Sequence, residues 1–267
     1  VTKLTKTLKF RSLRYINENL MNILSPAFFV ILWELLVYLG VLNPSYFPPP
    51  SKIFIRLIEL FQTGELVTHT VATVYRLFFA FILAAVPGIA IGLLMGLSKT
   101  IRSIVDPIIA LIYPIPKVAM LPLFMVIFGL GTPPIVVTAF ITAFFIIILN
   151  TLAGVLNIDK VLFEAARNYG AKGWRLFIKV VLPGAMPMIF TGLRLGLGMS
   201  LIVVVASEFI ATQSGLGYLI YISWRVLRVE DMYVGFVVTG ILGYIVTRGL
   251  EKLSDKLMPW REEKVVI

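Results

Sequence analysis

The sequence predicts an all-α integral membrane protein, and three observations carry that prediction. Mean hydropathy is +0.95 and only 14% of the 267 residues are charged, where a soluble domain carries about a quarter. Apolar runs of about 18 or more residues recur, each long enough to cross a bilayer as a helix. The basic residues, which give a formal net charge of +10, gather mostly between those runs. That pattern sets topology in a membrane rather than making a nucleic-acid surface. The chain has no cysteine, which excludes disulfides, iron–sulfur clusters and thiol catalysis within it.

Six spanning segments are expected, at about 26–42, 71–97, 104–130, 134–156, 188–210 and 232–250. They lie in a single membrane domain, 24–255, between a basic arm at 1–23 and a tail at 256–267. The arm has no adjoining short apolar core and small-residue cleavage site, so the first run reads as a retained anchor. Glu34 interrupts that run. Pro48, Pro49 and Pro50 then stop any helix. After them Ile53, Phe54, Leu57, Ile58 and Phe61 recur at helical spacing, with Lys52, Arg56 and Glu59 on much of the other side. A short amphipathic helix at the membrane interface is expected there.

In the second segment Ala84, Gly88, Gly92 and Gly96 repeat every four residues, and Gly192 and Gly196 do the same in the fifth. Such stripes let another helix approach closely. They serve either packing within one subunit or a dimer seam. His69 is the only histidine and sits at an interface position, where a metal site is not expected. Arg76 and Glu34 are candidates to pair across helices. Pro87, Pro114, Pro116 and Pro122 are expected to interrupt helices in mid-membrane, either as kinks or along a water-filled pathway that satisfies the freed carbonyls. Lys117 follows Pro116 inside an apolar span. It is either a pore-facing cation for an anionic substrate or a snorkelling or paired lysine. Glu208, near the end of segment five, is either an interface carboxylate bonded to nearby Ser or Thr, or a gate or subunit contact. The connection 212–231 is semi-apolar and suits the mouth of a bundle.

Seventeen of the 24 basic residues fall on one side of this arrangement. Lys3, Lys6, Lys9, Arg11 and Arg14 lie in the arm, Lys99 and Arg102 after segment two, and Lys160, Arg167, Lys172, Arg175 and Lys179 after segment four. Arg248, Lys252, Lys256, Arg261 and Lys264 lie at the C-terminal end. The positive-inside rule places all four regions, and both termini, in the cytoplasm.

Residues 163–187 read FEAARNYGAKGWRLFIKVVLPGAMP, a polar, basic, glycine-broken stretch in an oily chain. Two helical pieces flank Gly170 and Gly173. In the first, Leu162, Ala165, Ala166 and Tyr169 share a face. In the second, Trp174, Phe177, Ile178 and Val181 do. Pro183 is expected to end the second piece. A compact, partly apolar helix pair outside lipid needs a protein partner or the bundle's own underside.

The spacing is Glu164-Ala165-Ala166, three residues, Gly170, nine residues, Val180, one residue, then Leu182-Pro183. This resembles the EAA loop of permease subunits of ATP-binding cassette (ABC) importers, with Val180 where the family usually has isoleucine. The resemblance extends over about 68–259. It implies a six-helix type I importer transmembrane domain in which the loop 157–183 forms cytoplasmic coupling helices. Glu164, Ala165, Ala166 and Gly170 would be the docking core for an ATPase subunit. Residues 106–131 and 192–220 are similar to the branch importing nitrate, taurine and sulfonates, and similar permeases carry pyrimidine and riboflavin precursors. The implied partners are a pair of ABC ATPases, a second permease copy and an extracytoplasmic binding protein. The implied setting is the inner or plasma membrane, with no nucleic acid. The chain itself would be non-catalytic and without a cofactor, ATP and Mg residing on the ATPase. No Gly-x-x-x-x-Gly-Lys-Ser/Thr loop occurs in it. The short Gly-Leu-Gly runs at 129–131 and 215–217 are too brief for a cofactor fingerprint. Two other readings stay open on the residues alone: a secondary transporter working without an ATPase, and a membrane scaffold that transports nothing.

Overall fold

The structure is a computed structural model and describes residues 24–260. The arm residues Lys3, Lys6, Lys9, Arg11 and Arg14, and Arg261 and Lys264 of the tail, lie outside the described residues. Every regular element among the described residues is helical. In order they are α1 (Leu24–Tyr38), α2 (Pro50–Gln62), α3 (Glu65–Leu97), α4 (Lys99–Ile112), a 3-10 turn (Lys117–Met120), α5 (Leu121–Phe128) and α6 (Thr132–Leu156). Then come α7 (Lys160–Asn168), α8 (Gly173–Leu176), a π-helical turn (Phe177–Val181), α9 (Leu182–Ala211), α10 (Leu216–Arg225) and α11 (Val229–Leu257).

Among the described residues four helices are long and apolar enough to cross a bilayer: α3, α6, the 39-residue run Gly173–Ala211, and α11. The first expected segment is shorter than a span. α1 ends at Tyr38 because Gly40, at φ 73°, closes it. Val41 N–H bonds to Leu36 O and Gly40 N–H to Val37 O, the paired bonds of a Schellman stop. The third expected segment is a bent pair. α4 meets the 3-10 turn and α5 at 82°, because Pro114 and Pro116 withhold two amide donors at the bend. The other prolines behave differently from the expectation. α3 runs on through Pro87, and Pro122 sits in the first turn of α5, where its missing N–H costs nothing.

α3, α6 and α9 form the centre, and α6 is the most enclosed of the four long helices. α6 carries no charged residue. Three of its polar side chains return to the preceding turn: Thr138 to Pro134 O, Thr142 to Thr138 O and Asn150 to Ile146 O. The glycine stripes are spent here. A Cβ on Gly88, Gly92 or Gly96 would run into Ile147, Thr151 or Val155 of α6. One on Gly192 or Gly196 would meet Asn150 or Ile147. The gap they leave is filled by a core of Leu77, Phe81, Ala84, Ala143, Ile147, Leu197, Leu201 and Val246. Val71, Phe78, Phe79, Ile82 and Val86 of α3 stay exposed, as lipid-facing positions do.

α2 is helical as its spacing predicts, but its polar side is not simply solvated. Ile53, Leu57 and Leu60 pack on Leu66, Leu216, Leu219 and Val234. Arg56 reaches across to the buried carboxylate of Asp231, at the start of α11. That carboxylate and Glu59 hold the guanidinium pKa above its ordinary value.

Candidate functional site

Two ends of the bundle carry polar structure. One bears α7 and α8, the other α2 and α10. At the α7 end, Asp159 caps α7 by accepting from Val161 N–H at 2.9 Å. Gly170, at φ 79°, closes it: Gly170 N–H bonds to Arg167 O and Ala171 N–H to Ala166 O, both at 2.9 Å. Only glycine takes this left-handed position without a Cβ penalty. α7 therefore stops after two and a half turns and stands off the bundle. Val161, Leu162 and Tyr169 are exposed beside Glu164 and Ala165, and across the turn Trp174 stacks on Phe177 with its own ring exposed. Tyr169 is 93% exposed and Trp174 71%. Ala166 and Val180 are half-buried.

Pro183 does not end the second piece. The helix runs from Gly173 to Ala211 without a stop. Pro183 offers no N–H to Lys179 O and crowds that carbonyl. The chain accommodates this with the wide turn just before it, where Leu182 N–H reaches back to Phe177 O. Lys172, Arg175 and Lys179 are thus carried on, or just before, the stem of a long helix, and Val181 at its inner side is buried.

At the α10 end, Glu208 is fully buried and accepts from three donors. Arg76 Nη1 donates at 2.7 Å, the Thr73 hydroxyl at 2.9 and 3.0 Å to the two oxygens, and Gly217 N–H at 2.9 Å. Arg76 spends its other donors on Ser214 O and Oγ, Thr212 Oγ1 and Thr132 Oγ1. Leu216 N–H donates to Thr73 Oγ1, and Gly215 N–H to Nδ1 of His69. Gly217 must lack a Cβ, because one would overlap Val205 O. The cluster thus ties α3, α9, the 212–215 connection and the first turn of α10 together. Glu34 is not part of it: Glu34 takes the N–H and hydroxyl of Ser51, at 3.0 and 2.7 Å. The pairing of Glu34 with Arg76 expected from the sequence is therefore replaced by Glu208 with Arg76. Of the two roles open for Glu208, the carboxylate bonded to a nearby Ser or Thr is the one seen, through Thr73, which stands one helical turn from Arg76 on α3; Thr212 and Ser214 join through Arg76, and no local spacing marks them.

Lys117 occupies the break between α4 and α5. Its ammonium donates to Ile112 O, Tyr113 O and Ile115 O at 2.8, 2.9 and 2.7 Å, and faces the rings of Tyr113 and Phe145. All three N–H donors are engaged with carbonyls of the bend itself, where Pro114 and Pro116 interrupt the backbone ladder. Of the two roles open on the sequence, this geometry is the paired one.

A family model described as binding-protein-dependent transport system inner membrane component matches residues 88–258. A putative ABC transporter permease protein of Methanocaldococcus jannaschii is 38% identical over 251 residues, 92% of this chain and 93% of that one. The taurine transport system permease protein of Escherichia coli is 34% identical over 242 residues, covering 89% and 88%. A putative aliphatic sulfonates transport permease protein of Bacillus subtilis is 32% identical over 240 residues, covering 90% and 87%. Among solved structures, an inward-facing methionine ABC transporter superposes with a TM-score of 0.58 over 69% of this chain and 92% of that one, at 22% identity.

Proposed function

The chain belongs to the family of binding-protein-dependent transport system inner membrane components, the multi-pass inner-membrane permeases of ABC importers, and from that premise we propose how it couples and what it carries. Such permeases work with an ATPase and a binding protein and are generally non-catalytic. Membership of this family displaces the lone secondary transporter and the scaffold. Here ATP and Mg belong to the partner ATPases, two copies of this chain form the pathway, and a binding protein delivers the cargo. Both termini and the α7–α8 hairpin face the cytoplasm, in keeping with the seventeen basic residues gathered on that side.

The observation that carries the coupling reading is the hairpin's outward apolar face. Val161, Leu162, Tyr169 and Trp174 are all more than half exposed, on α7, just after it and at the start of the helix that follows it. Exposed aromatics around a small-residue face at Ala165 make an anchor surface for a groove. ATP-driven closure of the ATPases moves this hairpin. Because the helix from Gly173 to Ala211 is continuous, that motion passes directly to α9. The cargo is a small oxyanion of the taurine, sulfonate or nitrate type. The names of two close relatives, one for taurine and one for aliphatic sulfonates, support that class.

The test is copurification of the ATPase subunit encoded beside this chain, comparing wild type with Ala165→Trp. Ala165 is exposed, so the substitution spares the bundle. Wild type should retain the ATPase and the variant should lose it. A wild-type chain that retains none, or a variant that retains it equally, overturns the reading.

A further inference from the structure

The first turn of α10 takes its caps from other helices. Gly215, at its N-cap position, has no side chain to offer, and the first amides of a helix need partners from outside it. Gly215 N–H donates to His69 Nδ1 at 3.1 Å, Leu216 N–H to Thr73 Oγ1 at 2.8 Å and Gly217 N–H to Glu208 Oε2 at 2.9 Å. His69, Thr73 and Arg76 fall at i, i+4 and i+7, on one face of α3. Arg76 holds Ser214 through its carbonyl and its hydroxyl. One stripe of α3, with Glu208 of α9, therefore clasps the 212–215 connection and the start of α10.

His69 is the member of that stripe whose ordinary titration lies near neutral pH. A neutral imidazole has one nitrogen with a free lone pair, and here it is Nδ1, because Nδ1 accepts from Gly215. Both nitrogens of a protonated ring carry hydrogen. Protonation therefore ends the bond and sets one N–H against another. It also puts a positive charge at the positive end of the α10 dipole. The ring is half-buried and lies 5.9 Å from the ring of Tyr218 on α10. Among the described residues the charged groups that act on it are Glu65, one turn earlier on α3, and Arg76, two turns later. Glu208 of α9 is engaged with Arg76.

We propose that His69 is an acid-sensitive latch: its neutral ring holds the 212–215 connection and the N-terminus of α10 against α3, and its protonation lets them go. On the topology proposed above, this end faces away from the cytoplasm, toward the side whose pH follows the surroundings. The closed latch binds the neutral ring. Its contribution is therefore present above the usual imidazole range, near pH ~6.5, and is lost as pH falls through that range.

The chain has no cysteine, so one introduced cysteine carries a spin label without background. Gln213 is exposed within the connection and takes no part in the clasp, and Gln213→Cys is the labelling site. Nitroxide mobility is read in the full complex of permease and ATPase in nanodiscs, at about pH 8 and about pH 5, on either side of the imidazole range. Both faces of a nanodisc meet the same pH, so the result does not depend on the topology. With His69 present, the mobile fraction should rise several-fold at the lower pH. In His69→Asn the side-chain oxygen takes the place of Nδ1 and does not titrate, so the label should stay ordered at both values. In His69→Leu no acceptor remains, and the label should be mobile at both. A histidine that merely packs predicts an ordered connection in His69→Leu and no response to pH with His69 present. Either result overturns the proposal. So does a pH response that survives in His69→Asn, which would assign the titration to another group. Retention of the ATPase at about pH 8 reports separately on the coupling reading.

Discussion

Arg76 Nη1 and Glu208 Oε1 lie 2.7 Å apart, with side chains 4% and 0% exposed, on helices separated by 132 positions in the chain. Neither charge can be buried alone. Each is tolerable because the other, with Thr73, Thr212, Ser214 and Gly217, satisfies its remaining donors or lone pairs. The pair fixes the α10 end of the bundle, since α10 hangs from α3 and α9 through Gly217 N–H and Leu216 N–H.

Removing one partner should therefore cost far more than removing both. Glu208→Gln or Arg76→Met alone should destabilise the protein by about 3–5 kcal/mol, because the survivor is left charged and unpaired. The double variant should recover a large share of that loss, which a double-mutant cycle of thermal unfolding in detergent measures. Additive losses would mean that the two charges do not depend on each other.

Lys117 should be a structural brace. Lys117→Met leaves the carbonyls of Ile112, Tyr113 and Ile115 without their shared donor. Hydrogen bonds to a charged donor contribute about 1.5–3 kcal/mol each before desolvation is offset, so a net loss of about 2–3 kcal/mol is expected. Spin labels on α4 and α5 should report a broadened distance distribution across the 82° bend. A variant that keeps its bend and stability but loses transport would return Lys117 to the pathway.

How much of this was legible in the sequence follows from which forces are local. Period, charge and proline are local. α2, the boundaries near Leu97, Thr132 and Leu156, and the turn at Gly170 could therefore be read from neighbouring residues alone. The glycine stripes announced close packing, but their partners Ile147, Thr151 and Val155 sit on another helix and carry no matching signal. Proline is an uneven guide. Pro183 reads as a stop, yet a wider turn at Phe177–Val181 absorbs it, and Pro87 reads as an interruption that α3 runs through; Pro114 and Pro116 read as an interruption too, and there the helix does break, by 82°. Charge pairing was the least legible. Arg76 chose Glu208 over Glu34 because tertiary packing, not spacing, sets the distance. Arg194 and Glu251 come from helices whose contact no one-dimensional pattern states.

Leu227 is the non-glycine residue at positive φ among the described residues, at 57°, and it is 81% exposed. It occupies the same position after α10 that Gly170 does after α7: Leu227 N–H bonds to Trp224 O and Arg228 N–H to Ser223 O. A leucine there bears a left-handed strain with no burial to offset it. Leu227→Gly should raise stability by about 0.5–1 kcal/mol, visible as a higher unfolding midpoint, with transport unchanged. A lower midpoint would mean that the exposed leucine is gripped by something outside this chain.

Gly170→Ala isolates backbone from bulk in the α7–α8 hairpin. Nothing lies within 4 Å of a Cβ added at Gly170, so the methyl group meets no neighbour. Its only cost is the left-handed φ of 79°, about 1 kcal/mol for a residue with a Cβ. That penalty falls on a hairpin standing away from the core, where few contacts link it to global unfolding. The unfolding midpoint should hardly move. What should change is the hairpin: faster amide exchange over residues 166–172, because the Gly170 and Ala171 N–H bonds are the ones strained, and a several-fold weaker hold on the ATPase. A larger substituent such as Ala165→Trp acts through the surface instead and should weaken docking without changing that exchange. If Gly170→Ala leaves both exchange and docking at wild-type values, the turn is not what presents Ala165 and Trp174 on the same outward face.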